Sequence, residues 1–171
     1  MPKRPPRDEA EKVFTEIFHE YADAIFRHCA FKVMDRLLGH DLTQETFLRI
    51  WKQIEQGKEI ENMRAFLYKV ADNLVIDHVR KKKPLSLDQL QEQGFDPGHD
   101  ELPTTQNRME VTRALEALHK LEADYRQVIH LRYVEGLSVS EIATMTGEPP
   151  NTVSVRIHRG LQQLRSHLRH A

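Results

Sequence analysis

Apolar side chains recur at three- and four-residue steps along most of this chain, and no run of five or more alternates in the two-residue rhythm of a strand. The pattern predicts an all-α protein. Phe14, Ile17, Phe18, Tyr21, Ile25 and Cys29 form one stripe, so a first helix is expected from about Glu9 to Val33. A break is expected at Leu38 to His40, where Asp41 can cap a second helix whose apolar face is Phe47, Ile50, Trp51 and Ile54; Gly57 is placed to end it. Asn62 can cap a third. There Met63, Phe66, Leu67, Val70, Ala71, Leu74, Val75 and Val79 make an apolar seam, with Arg64, Lys69, Asn73, Asp77 and Arg80 on the other side. Together the three predict a small bundle over residues 1–83.

Residues 84–107 hold Pro84, Gly94, Pro97, Gly98 and Pro103 with no sustained period, which predicts a flexible linker. Pro84 should stop the third helix by Lys83. A second helical unit is expected over residues 108–171. Its first helix has Val111, Ala114, Leu115 and Leu118 on one face, and its second runs from about Glu122 to Val134, carries Tyr125, Val128, Ile129 and Tyr133, and is stopped by Gly136. Ser138 and Glu141 stand in the S-x-x-E relation of a capping box, fixing the start of a short helix that runs into Thr146-Gly147. Pro149 and Pro150 are tolerated only in a first turn, so the last helix starts there and proceeds through Val153, Ile157, Leu161, Leu164 and Leu168.

Composition narrows the classes. The 171 residues allow either one ordinary domain or two small ones, and the net charge of -1 conceals a segregated distribution. Residues 1–83 carry +2, the linker -5 and residues 108–171 +2, with an unbroken basic run at Arg80 to Lys83 and no acid after Asn151. Basic patches on two units flanking an acidic connector point to a polyanion. No apolar stretch approaches the ~18 to 20 residues of a membrane span, and Met1 to Ala10 is polar and proline-rich, so a cytoplasmic protein without membrane insertion is expected. The lone Cys29 excludes an intramolecular disulfide or a cysteine-built zinc site and lies on an apolar stripe, where packing is its expected role.

A short capped helix, a glycine-containing turn and a longer helix beginning Asn151-Thr152-Val153 are the parts of a helix-turn-helix. With Val153, Ile157, Leu161 and Leu164 buried, steps of about 100° place Asn151, Val155, His158 and Arg159 on the opposite face, flanked by Ser154 and Arg156. That face suits a DNA major groove. Arg159 can pair with guanine or phosphate, Asn151 and Thr152 can bond phosphates at the helix start, and Ser154 and Val155 are small enough to approach base edges. Fully extended, the linker's 24 residues span up to about 80 Å, so the two units can reach DNA segments more than one turn (~34 Å) apart.

The block LEALHKLEADYRQVIHLRYVEGLSVSEIATMTGEPPNTVSVRIHRGLQQLR, Leu115 to Arg165, resembles the fourth domain of bacterial RNA polymerase sigma factors. DLTQETFLRIW at Asp41 to Trp51 and MRAFLYKVADNLVIDHVRKKK at Met63 to Lys83 resemble their second domain. Both in series, with no extra domain between them, match the small extracytoplasmic-function (ECF) group of the sigma-70 family. The resemblance implies a transcription initiation factor that is not an enzyme, uses no cofactor, and has core RNA polymerase and promoter DNA, duplex and melted, as partners. It further implies an anti-sigma partner that clamps the two domains. On the residues, it implies polymerase contacts at Asp41, Gln44, Glu45 and Arg49, with Phe47 and Trp51 left to the core. It implies minus-ten recognition and melting by the third helix, with Asn73 on a base and Arg80, Lys81 and Lys82 along the backbone, and a base extruded near the loop 56–62. Ser154, Val155 and Arg159 match positions that read the minus-thirty-five element, while Arg156 either joins them or pairs with Glu141 and braces the motif. Three positions depart from the family pattern: Gly39-His40 for Ala-Glu, Glu148 for an apolar turn residue, and Val155 for a polar base reader.

Two other classes compete. A stand-alone helix-turn-helix repressor or activator would dimerise and bind duplex operators unaided. A metal enzyme would need convergent histidines, yet His158, His167 and His170 do not share a face at metal spacing and His19, His28, His78, His119 and His130 are scattered.

Overall fold

The first apolar stripe folds as α1, Arg7–Val33, which ends where Met34 adopts the left-handed conformation at φ 53°. The computed structural model of the chain describes residues 4–81 and 105–169. It divides into two compact units, Met1–Asp96 and Pro97–Ala171, the division falling inside the expected linker. Of that linker, residues 84–104 lie outside the described ones, as do Lys82 and Lys83. No strand occurs among the described residues.

In the first unit the chain breaks at Met34-Asp35, not at Leu38 to His40. Asp35 caps α2, Arg36–Glu55, by accepting from the Leu38 amide at 3.0 Å, and Asp41 is an exposed residue inside that helix. The glycine that reads as a turn signal has another purpose. A Cβ on Gly39 would lie 2.8 Å from the Cα of Ala30, so glycine here lets α1 and α2 cross backbone to backbone. Gln56 ends α2 and Gly57 takes φ 68°, as expected. Asn62 then caps α3, Met63–Lys81, by accepting from the Ala65 amide at 2.9 Å.

The core lies between these three helices. Ile25, Cys29, Ile50, Leu67, Tyr68 and Ala71 are fully buried, so Cys29 packs as its stripe predicts. An aromatic cluster extends this core toward the start of α1: Phe47 meets Phe18 edge-on at 4.9 Å and Phe14 meets half-buried Trp51 at 5.4 Å. Burying each large apolar side chain of this kind is worth about 1.5–3 kcal/mol. The α3 seam stops at Val75. Val79 belongs to a last turn whose residues are half-buried or exposed, and is itself exposed.

Inside this apolar core sits one charged group. Asp72 on α3 is buried and accepts from His28 Nε2 at 2.8 Å and from Lys32 Nζ at 2.5 Å, both on α1. A buried carboxylate is retained only if paired, and this pairing pins the rotation of α3 against α1.

The second unit is built from α4 (Thr105–His119), α5 (Ala123–Ile129), α6 (Val139–Thr146) and α7 (Pro150–Arg169). Thr105 to Asn107, expected in the linker, form the first turn of α4. The helix expected from Glu122 to Val134 changes character within its length: after α5 it continues as one π-helical turn, His130–Val134, with the Glu135 amide bonded to the His130 carbonyl at 3.1 Å. His130 Nε2 and the Glu135 carboxylate meet at 3.0 Å across the same five-residue step. Tyr133, counted among the ring-bearing positions of this helix in the sequence, is exposed within that turn. Helix α7 packs against α4, α5 and α6 and closes the core around Leu121, Val128, Leu131, Leu137, Ile142 and Val153. No helix among the described residues is long and apolar enough to cross a membrane.

Candidate nucleic-acid interface

The start of α6 is fixed by the expected capping box: Ser138 Oγ accepts from the Glu141 amide at 3.1 Å and the Glu141 carboxylate accepts from the Ser138 amide at 2.8 Å. Its end is Gly147, at φ 74°, a conformation that glycine adopts without a steric penalty. Pro150 is the first residue of α7 and has no amide to leave unsatisfied. Ile142 and Val153 are fully buried in the angle between the two helices, with Ala143 beside them. These contacts set the rotation of α7.

With that rotation, Asn151, Thr152, Ser154, Val155, His158 and Arg159 are all exposed, Val155 at 51%. Val153, Ile157 and Gly160 occupy the opposite face. His158 lies 3.3 Å from Gln162 one turn on. Arg156 is on the flank and half-buried. Its guanidinium donates to both oxygens of Glu148, Nη2 to Oε1 at 2.6 Å and Nη1 to Oε2. The bidentate partner of Arg156 is thus Glu148, in the turn, while Glu141 caps α6. The hydrogen bonds to Glu148, outweighing burial, hold the Arg156 pKa above its ordinary value.

Other arginines of this unit are tied to backbone: Arg126 donates to the Leu121 carbonyl and Arg132 to that of Leu137, each at 2.9 Å. Arg159, Arg165 and Arg169 are exposed on α7. A shallow groove of about 500 Å3 runs beside the outer face, lined by Glu122, Asp124 and Tyr125 at the start of α5 and by Asn151, Thr152, Val155, Arg156 and Arg159.

In the first unit, Asn73 is exposed on α3 beside the buried Asp72. Lys69, Asn73, Ile76 and Arg80 recur at helical spacing and share one exposed face, with Arg80 paired to Asp77 at 3.1 Å. Ile76, 56% exposed, was not singled out by the sequence reading; its place between Asn73 and Arg80 is the signal that marks it. Lys81 is exposed at the helix end, and Lys82 lies outside the described residues.

On α2, Asp41, Gln44 and Arg49 are exposed and Glu45 is half-buried; Arg49 Nε donates to Glu45 at 3.0 Å. Leu48, 54% exposed, sits among them, an apolar centre in a polar ring that the sequence reading also passed over.

Two helical units, one of them a helix-turn-helix with a polar and basic outer face, define a DNA-binding protein of two modules. Residues 17–84 match Sigma-70 region 2 and residues 112–164 match Sigma-70, region 4. The chain is 31% identical over 179 residues to the ECF RNA polymerase sigma factor SigW of Bacillus subtilis strain 168, covering 93% of this chain and 90% of that one. It is 31% identical over 153 residues to the ECF RNA polymerase sigma factor SigL of Mycobacterium tuberculosis strain H37Rv, covering 87% and 85%. Its fold is similar to that of the sigma factor RpoE solved in complex with the anti-sigma factor NepR from Bartonella quintana, with a TM-score of 0.71 at 22% identity over 92% of this chain and 98% of that one. The chain belongs to the ECF group of the sigma-70 family of RNA polymerase sigma factors, and is a transcription initiation factor that directs polymerase to promoters.

Proposed function

We propose that the two units divide promoter recognition between them. The first docks on core RNA polymerase through the α2 face of Asp41, Gln44, Glu45, Leu48 and Arg49, and uses the α3 face of Asn73, Ile76 and Arg80, together with the basic residues Lys81 and Lys82 next in sequence, to recognise and hold the melted minus-ten segment. Capture of a single strand needs positive charge and a surface for an unstacked base, and that face offers both. The second unit reads the minus-thirty-five duplex with the outer face of α7: Arg159 on a guanine or phosphate, Asn151 and Thr152 on phosphates, Ser154, Val155 and His158 toward base edges. The protein turns over no substrate of its own and acts in the cytoplasm.

The observation that carries this reading is the clean partition of α7, with six polar, basic or small residues outside and Val153, Ile157 and Gly160 inside. We further propose an anti-sigma partner, by analogy with the RpoE of Bartonella quintana. The test is reconstitution: the full chain co-elutes with core RNA polymerase and supports initiation from a promoter selected out of a randomised pool. Folded protein that does neither rules the reading out.

A further inference from the structure

An arginine fork offers parallel N–H donors that fit a carboxylate and a phosphate equally well. In this protein the fork of Arg156 is already filled. Both oxygens of Glu148 accept from it, and the two side chains are 24% and 28% exposed, more sheltered than the neighbouring Arg159. Arg156 nonetheless lines the groove beside Asn151, Thr152 and Arg159, within reach of whatever that face binds. We propose that Glu148 acts as an internal substitute for a DNA phosphate, withdrawing Arg156 from DNA and lowering the affinity of the second unit for the upstream duplex. The inference rests on the proposed DNA-reading role of α7 and adds a residue that restrains it.

The physical argument is one of charge exchange. A cation that neutralises a phosphate releases counterions, and this release supplies much of the affinity of proteins for DNA. For Arg156 to do so it must leave Glu148, which then faces the phosphates as an uncompensated anion. Exchange therefore gains no net neutralised charge. Asp124, across the groove, adds a second negative wall that favours the arginine where it is. Arg159 carries the contact in its stead.

The experiment uses the full chain with core RNA polymerase and, as probe, a duplex carrying only the upstream element of a selected promoter, with affinity followed by anisotropy between about 50 and 200 mM salt. Glu148→Gln is expected to tighten binding at low salt and steepen the log–log salt slope by about 0.9, which is about a 3.5-fold larger loss across that range. Arg156→Gln in the Glu148→Gln background is expected to abolish the gain and restore the native slope, since the freed fork is then gone. Glu148→Ser repeats the test with a smaller side chain, and helicity on heating checks that each variant is folded. A double variant that keeps the gain, or a folded Glu148→Gln variant that binds no tighter, overturns the inference while native binding leaves the reading of α7 intact. A native holoenzyme that binds no selected duplex overturns both.

Discussion

His28 Nε2 donates to the Asp72 carboxylate at 2.8 Å in the core of the first unit, one residue before Asn73 projects into solvent. The pair, joined by Lys32 at 2.5 Å, connects the buried side of α3 to its outward one: whatever holds Asp72 to α1 also aims Asn73.

Replacing Asp72 tests the connection. Burial opposes ionisation of this carboxyl, but the His28 hydrogen bond and the Lys32 charge outweigh it, and its pKa lies below the ordinary value. A depressed carboxylate contributes stability that is complete above about pH 3.9, the unfolded value, and is lost as pH falls through the lower folded one. Asp72→Asn is expected to cost about 3 kcal/mol at neutral pH and to flatten the acid limb below about pH 4. Urea unfolding followed by Trp51, the single tryptophan, reports on this unit alone.

Gly39→Ala sets two effects against each other. Alanine improves helix propensity by about 1 kcal/mol, but its methyl group would stand 2.8 Å from Ala30 Cα, and overpacking costs about 1–3 kcal/mol. Backbone cannot yield as a side chain does, so the expected net result is destabilisation and a lower thermal midpoint for the first unit.

The proposed division of labour predicts opposite losses. Arg159→Ala is expected to weaken binding to an upstream duplex by about 1–3 kcal/mol and to leave strand capture intact. Asn73→Ala is expected to spare duplex binding and reduce open-complex formation, read by permanganate reactivity of the melted segment. Equal losses in both assays from each variant contradict the division.

Leu48→Lys places a charge at the centre of the α2 face without touching the core, since Leu48 is 54% exposed. Apolar centres of interfaces carry about 1–2 kcal/mol or more, so core polymerase binding is expected to fall by at least about tenfold with an unchanged unfolding curve. Unchanged affinity removes α2 from the docking surface.

Much of this was legible in the sequence because helical period and capping chemistry are local. Asn62, Gly57, the Ser138-Glu141 box and the inward row of Val153 and Ile157 stand where a few neighbouring residues require them. The misreadings have non-local causes. Gly39 signals a turn and a close crossing equally well, and only Ala30 on another helix decides between them. Tyr133 is exposed within a π-turn, and no residue type announces such a turn. Glu148 was visible as a departure from the family pattern, but only the fold shows that the α6–α7 turn presents it to Arg156. The roles of Leu48 and Ile76 depend on exposure, which an apolar letter in a helical pattern does not reveal.

The junction of α6 and α7 is fastened on both sides, by a left-handed glycine before it and a proline at its far end. The buried row of Val153, Ile157 and Gly160 sets which side of α7 faces outward, and the turn of Glu148 and Pro149 sets how close its first residues lie to α6. A polar residue at Val153 would therefore disturb the reading face from behind, without altering any side chain on it.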